Sequence, residues 1–347
     1  MKKLLLTLVF MVVASSVVAK DKYKGTYTVA WSHYTGWEPW GYAKSSGILK
    51  KWADKYGIKI ELKLVNDYVE SMNLYNGGKF QAVVMTNMDA LTSPAIGGID
   101  TTALIVGDFS NGNDGIVIRN GKSVKDLKGK KISLVELSVS HYLLARALDM
   151  NGMAEKDVKL VNTSDADIPS LFITKQTDHV VTWNPGLLKV RNSKGANMVF
   201  DSSKIKGEII DIMFVRTDSS EKFKKALTGA WYETMAVMSK KNKKGKDAIA
   251  AMAKQAGNTV AEFNAQLKTT SMFYKAADAA TFTAGKSLIE TMQKVRTFSF
   301  EKGLFNKAKS KDVVGILFPN GTVLGNKKNI KLRFTDKYMK AAAEGKL

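Results

Sequence analysis

Apolar and polar positions along the first third of the chain switch between two periods. YTVAW (27–31) is a compact run of β-branched and aromatic residues and predicts a strand. YAKSSGILKKWADKYG (42–57) carries apolar residues at helical spacing and closes on a glycine, which predicts a helix. IKIELKLV (58–65) alternates and predicts a strand; DYVESMNLYNGG (67–78) predicts a short helix stopped by paired glycines. FQAVVM (80–85) predicts a buried strand, NMDALTSPAIGG (87–98) the start of a helix, and TTALIVGD (101–108) another strand. This βαβαβ order predicts a sheet with parallel strands and helices on both faces.

The pattern breaks at FSNGNDG (109–115), where turn-forming residues replace the apolar run, and a second series follows. GIVIR, KKISLVE, VKLVNT, HVVTWN, NMVFD and EIIDIMFVR predict strands, with helices HYLLARALDMNGM, DIPSLFI and PGLLKVRNSKG between them. Beyond Asp218 the pattern is mainly helical, with a hairpin-like piece at GILFPNGTVLG (315–325). The expected fold is α/β with two lobes, each a mixed, mainly parallel sheet flanked by helices. The chain leaves lobe one near 108–114 and returns near Asp211, so residues 20–110 plus 212–347 form lobe one and 111–211 lobe two. Two such crossings make a hinge, and the cleft between the lobes can close on a ligand. In open α/β sheets ligands bind at the carboxyl ends of strands.

The first residues stand apart. MKKLLLTLVFMVVASSVVAK has a basic start, an apolar stretch and a small-residue end, the pattern of a secretory signal peptide cut after Ala19. Its apolar run is shorter than the roughly 20 residues a membrane span requires. Export to the periplasm is therefore expected. The chain has no cysteine, so core burial carries its stability in an oxidising compartment. The formal charge of +21 raises nucleic acid or an anionic surface as partners. The lysines, however, concentrate in stretches such as SKKNKKGKDAIAAMAK (239–254), on the polar face of a predicted helix without interleaved aromatics. That is the pattern of a solvated surface, and no nucleic-acid partner is expected.

Catalytic patterns are weak. The three histidines, His33, His141 and His179, have no zinc-motif spacing, and no P-loop or G-x-S-x-G elbow is present. Ser138, Ser140 and His141 are chain neighbours on a predicted helix and read as packing or capping residues. No enzyme activity, metal or cofactor is expected.

The runs WSHYTGWEPWGYA (31–43), TNMDAL (86–91), ALIVGDFSNGNDG (103–115), ELSVSHYLL (136–144) and TWNP (182–185) carry a resemblance. With the leader, they make the chain similar to the solute-binding proteins of ABC importers in the nitrate, taurine and aliphatic-sulfonate class. The branch encoded beside urea carboxylase, associated with urea or guanidine uptake, looks most similar. The resemblance implies a two-lobed periplasmic binding protein fold of type II, a monomer, a small-molecule ligand and an ABC permease in the inner membrane as partner. The same fold resembles a yeast-type pyrimidine precursor synthase, but that enzyme's cysteine-rich motif has no counterpart here.

Four windows that the resemblance and the strand-end rule place around the cleft, 31–43, 80–118, 132–145 and 176–188, hold no lysine or arginine in a chain with 53 of them. They hold seven acids: Glu38, Asp89, Asp100, Asp108, Asp114, Glu136 and Asp178. Exclusion of one sign points to a cationic or N–H-rich ligand; nitrate or a sulfonate would call for the opposite. The expected ligand is guanidinium, with urea second and taurine, another sulfonate or nitrate as alternatives. Trp37 and Trp183 are the expected stacking pair, supported by Trp31 and Tyr34, while Trp40 and Trp52 read as core. Glu136 is the first-choice carboxylate, although a strand-to-helix acid also suits the helix dipole. Asp89 and Asp108 are the lobe-one candidates; Asp89 also reads as a helix cap and Asp108 as a hinge pin. Asn87 and Asn184 are the expected polar partners for a neutral ligand such as urea.

Overall fold

A computed structural model describes residues 23–305 and 308–347. The predicted leader lies outside them. Among the described residues no helix is long and apolar enough to cross a membrane.

Among the described residues fourteen strands form two sheets. They are β1 (Thr26–Trp31), β2 (Lys59–Leu64), β3 (Ala82–Thr86), β4 (Thr101–Ser110), β5 (Asp114–Ile118), β6 (Lys131–Leu134) and β7 (Lys159–Asn162). They continue as β8 (His179–Trp183), β9 (Asn197–Asp201), β10 (Ile210–Arg216), β11 (Thr270–Met272), β12 (Gly315–Leu317), β13 (Val323–Gly325) and β14 (Ile330–Phe334). The larger sheet runs β13-β12-β14-β4-β10-β3-β1-β2, with β11 also on β4; the smaller runs β7-β6-β8-β5-β9. Strands β3, β4, β5 and β10 are buried almost throughout and accordingly read as near-continuous apolar runs.

The chain passes from the larger sheet to the smaller between Ser110 and Asp114, and returns between Asp201 and Ile210. The return strand therefore starts just ahead of Asp211. The first strand after each passage runs against its neighbours: β5 is antiparallel to β8 and β9, and β10 to β3 and β4. With the antiparallel pairs β4–β11 and β12–β13, parallel and antiparallel pairings are equally represented among the described residues. Strand β11 is too short and too polar for the apolar pattern to announce it, whereas β14 (IKLRF) alternates apolar and polar residues and lies in the stretch expected to be mainly helical. The reversal of β5 and β10 brings their amino ends to the same edge as the carboxyl ends of β1, β3, β4 and β8. That shared edge holds the candidate site.

The two expected core tryptophans differ. Trp40 is 1% exposed and packs its ring 4.9 Å from that of Trp231. Trp52 is only half-buried: its indole N–H donates to Glu233 at 2.7 Å, and its ring covers Gly229, where a Cβ would come within 2.3 Å. It packs over a helix surface rather than in the core.

Candidate ligand site

A narrow cavity lies between the sheets, lined by Tyr34, Trp37, Tyr68, Thr86, Asp114, Val139, Trp183 and Asp211. Register explains how distant residues meet. In the larger sheet Asp211 sits opposite Thr86 on one side and Asp108 on the other. In the smaller sheet Asp114 sits opposite Trp183. Each passage strand thus carries one aspartate to the cavity.

The rings form a continuous wall. Tyr34 meets Trp37 at 5.1 Å between centroids, Trp37 meets Tyr68 at 5.5 Å, and Tyr68 meets Trp183 at 5.6 Å nearly at right angles. Trp183 also donates its indole N–H to the His33 carbonyl at 3.3 Å.

Four aspartates support this wall, each at most 3% exposed. Tyr68 Oη–H donates to Asp89 Oδ2 at 2.7 Å, and Thr86 Oγ–H donates to the same oxygen at 2.8 Å. Tyr34 Oη–H donates to Asp108 Oδ1 at 3.0 Å. Gly36 makes room for the other oxygen of Asp108, because a Cβ there would stand 2.1 Å from it. Ser110 Oγ–H donates to Asp114 Oδ2 at 2.5 Å. Asp89 Oδ1, Asp108 Oδ2, Asp211 Oδ2 and the Trp37 indole N–H are buried without a hydrogen-bond partner.

Burial is the main cause that pushes all four acids up. It raises Asp89 to about 6 despite the donors Tyr68 and Thr86, and Asp114 to about 7 despite Ser110. Burial raises both Asp108 and Asp211; repulsion from Asp108 and Asp114 pushes Asp211 further up, and repulsion from Asp114 adds to Asp108, whose bonds to Tyr34 and Asp211 hold it back. No lysine or arginine acts on any of the four. Burial also holds Tyr34 and Tyr68 well above the usual phenol range, so both remain donors. Among the described residues no group of three histidines or acids is arranged to hold a metal ion. The cavity thus offers aromatic faces for stacking and acidic groups as hydrogen-bond acceptors, with no basic side chain in its lining.

Of the residues expected from sequence, Tyr34, Trp37 and Trp183 line the cavity, and Asp89 and Asp108 stand directly behind Tyr68 and Tyr34. The others lie elsewhere. Trp31 is buried beside His33, ring edge to face at 5.5 Å. Asn87 spends its amide on the return passage, donating to the Glu208 carbonyl at 3.1 Å and accepting from Ile210 N–H at 2.9 Å. Asn184 donates to Asn113 Oδ1 at 2.7 Å and accepts from Leu188 N–H. Glu136 lines a separate, wider groove with Asp67, Glu70, Leu137 and Asp165. His141 accepts the Leu137 amide proton at 3.2 Å, and Ser138 caps its own helix, so the neighbouring hydroxyls and imidazole make no nucleophile pair. Sequence reasoning missed Asp211, Tyr68, Thr86 and Val139 and left Asp114 without a role. The available signal was Asp211 itself, a lone charge inside the apolar run IIDIMFV.

The family model described as NMT1/THI5 like matches residues 50–227, just over half of the chain. The chain belongs to the NMT1/THI5-like family. This NMT1/THI5-like chain shares its fold with the alkanesulfonate-binding protein SsuA from Xanthomonas axonopodis pv. citri bound to MOPS: TM-score 0.65, 16% identity, covering 82% of this chain and 95% of that one. The aliphatic sulphonate binding protein SsuA of Escherichia coli gives a TM-score of 0.63 at 20% identity, over 81% of this chain and 94% of that one. The nitrate-binding protein NrtA of Synechocystis PCC 6803 gives 0.58 at 11% identity, over 93% and 98%. These likenesses establish the two-lobed periplasmic binding protein fold. A chain from Brucella abortus (strain 2308), named only as a binding protein, is 36% identical over 97 residues, 28% of this chain. That match spans 30% of the Brucella chain's length.

Proposed function

We propose that this protein is the periplasmic solute-binding component of an ABC importer and that it captures guanidinium by closing its two lobes. The supporting observation is the cavity: four tightly buried aspartates around an aromatic wall, with unpartnered carboxylate oxygens and no basic side chain. Buried charge without a partner is costly, and a cation with N–H donors in one plane offsets that cost. The relatives named for sulfonates and nitrate take anions, which four aspartates would repel. The small cavity suits the unsubstituted ion. A neutral urea molecule fits the same space but leaves the acids uncompensated. The bound, closed form then docks on a membrane permease, and no bond of the ligand is made or broken.

A thermal-shift and calorimetry panel of guanidine, methylguanidine, urea, taurine and nitrate tests this, because a ligand that binds only the folded chain raises its melting temperature. Guanidine should give the largest shift, and long incubation should return it unchanged. A larger shift with taurine or nitrate defeats the charge argument; a larger shift with urea moves the ligand to the neutral isostere; turnover replaces the transport role with an enzymatic one.

A further inference from the structure

The two lobes also meet outside the cavity, and the contact is reciprocal. Helix Tyr68–Asn76 belongs to the lobe of the larger sheet. Its own cap is Asp67, whose Oδ1 accepts Glu70 N–H at 2.8 Å. The first helical amide, Tyr68 N–H, instead donates to Asp165 Oδ1 at 3.1 Å, and Asp165 follows β7 in the other lobe. Its neighbour Ser164 donates Oγ–H to Asp67 Oδ2 at 2.8 Å. Two residues of one lobe, Asp67 and Tyr68, are thus bonded to two consecutive residues of the other. In the opposite direction, Val139 N–H, the first helical amide of helix Val139–Met150, lies 3.4 Å from Asp89 Oδ2. Helix N-terminal amides carry partial positive charge and lack partners within their own helix, so a carboxylate from across the cleft satisfies them only when the lobes are together.

Tyr68 joins this contact to the cavity. Its ring is part of the wall, its hydroxyl holds Asp89, and its amide is held by Asp165. Asp165 is not a cavity residue and lines the outer groove. We infer that Asp165 is a closure latch, a positioning residue that caps the Tyr68 helix from the opposite lobe and sets how long the closed form retains its ligand. It does not touch the ligand and acts through Tyr68. The lobes find each other without it, but they separate faster.

This inference rests on the proposed binding role but not on the identity of the ligand. Asp165→Ala and Asp165→Asn in the full chain, with guanidinium as probe and stopped-flow tryptophan fluorescence as readout, test it. Asp165→Ala should raise the dissociation rate roughly tenfold or more, the scale of one charge-assisted hydrogen bond, and leave the association rate within about twofold. Asp165→Asn retains an acceptor oxygen and should stay within about threefold of the parent. Equal dissociation rates for parent and Asp165→Ala overturn the latch, as does an asparagine variant as fast as the alanine one. Should the parent not bind guanidinium, the ligand assignment fails alone. The latch is then judged on whichever panel compound gives the thermal shift.

Discussion

Two acidic regions lie where the lobes meet, and they differ in kind. The outer groove gathers Asp67, Glu70, Glu136 and Asp165, which are at least partly open to water and serve backbone amides or face solvent, although burial raises Asp165 to about 6. Asp114 and Asp211 line the inner cavity and Asp89 and Asp108 stand behind its tyrosines; water scarcely reaches any of the four, and three keep an oxygen without a partner. Negative charge alone therefore says little about a ligand, because solvent and helix amides satisfy it at small cost. A buried acid that neither the chain nor water satisfies either keeps a proton or takes a positive partner.

The largest expected effect that tests this contrast comes from Asp211→Asn. It removes the unpartnered oxygen's charge and the repulsion with Asp108 in one step. Guanidinium affinity should fall by roughly 30-fold or more, the 2 kcal/mol or greater cost of breaking a buried charge pair. The ligand-free protein should melt at a higher temperature than the parent, because the strained acid pair is gone. Calorimetry together with a melting curve reads both signs; a variant that loses stability and keeps its affinity would equate the two regions.

An intermediate effect is expected from pH. Asp89, raised to about 6, and Asp114, raised to about 7, bind protons more tightly in the folded chain than in the unfolded one. Their contribution to ligand-free stability is present below the ordinary carboxylate range and is lost as pH rises through 6 to 7. A bound cation favours the ionised forms, so binding releases protons. Guanidinium affinity should therefore rise from pH 5 to pH 8, by at least roughly tenfold, while the ligand-free melting temperature falls over the same range. A flat affinity profile measured by titration calorimetry would show that these acids do not face the ligand's charge.

The smallest effect belongs to the outer groove. Glu136→Gln should change guanidinium affinity by no more than about twofold, as for other solvent-screened charges. A tenfold loss would move the site to the groove.

The contrast also marks what could be read from the sequence. The strand and helix alternation, both passages between sheets and the aromatic turn at 31–40 were visible because each depends on neighbours along the chain. Tyr34, Trp37 and Trp183 followed from that turn and from a strand end. Asp211 did not, because its place is fixed by pairing with Asp108 and Thr86, more than a hundred residues away in the chain. Tyr68 looked like an ordinary first residue of a helix. Glu136 and Asn87 showed the reverse problem: both sit where a strand meets a helix, as binding residues often do. Only the fold shows that Asn87 is committed to the return passage and that Glu136 opens on the outer groove.

Strands β5 and β10 are the first strands after each passage between the sheets, and each carries an aspartate into the cavity. Under the proposed closure, the pivot of the molecule and its charge detector are the same pieces of chain. A lever pushed close to its fulcrum moves little there and far at its ends. If the lobes close as proposed, neutralising Asp114 and Asp211 acts at the pivot, and a small shift there becomes a displacement at the lobe tips. Exchanging one ligand for another in such a design alters the joint itself, so ligand choice and the ease of closing are bound to change together.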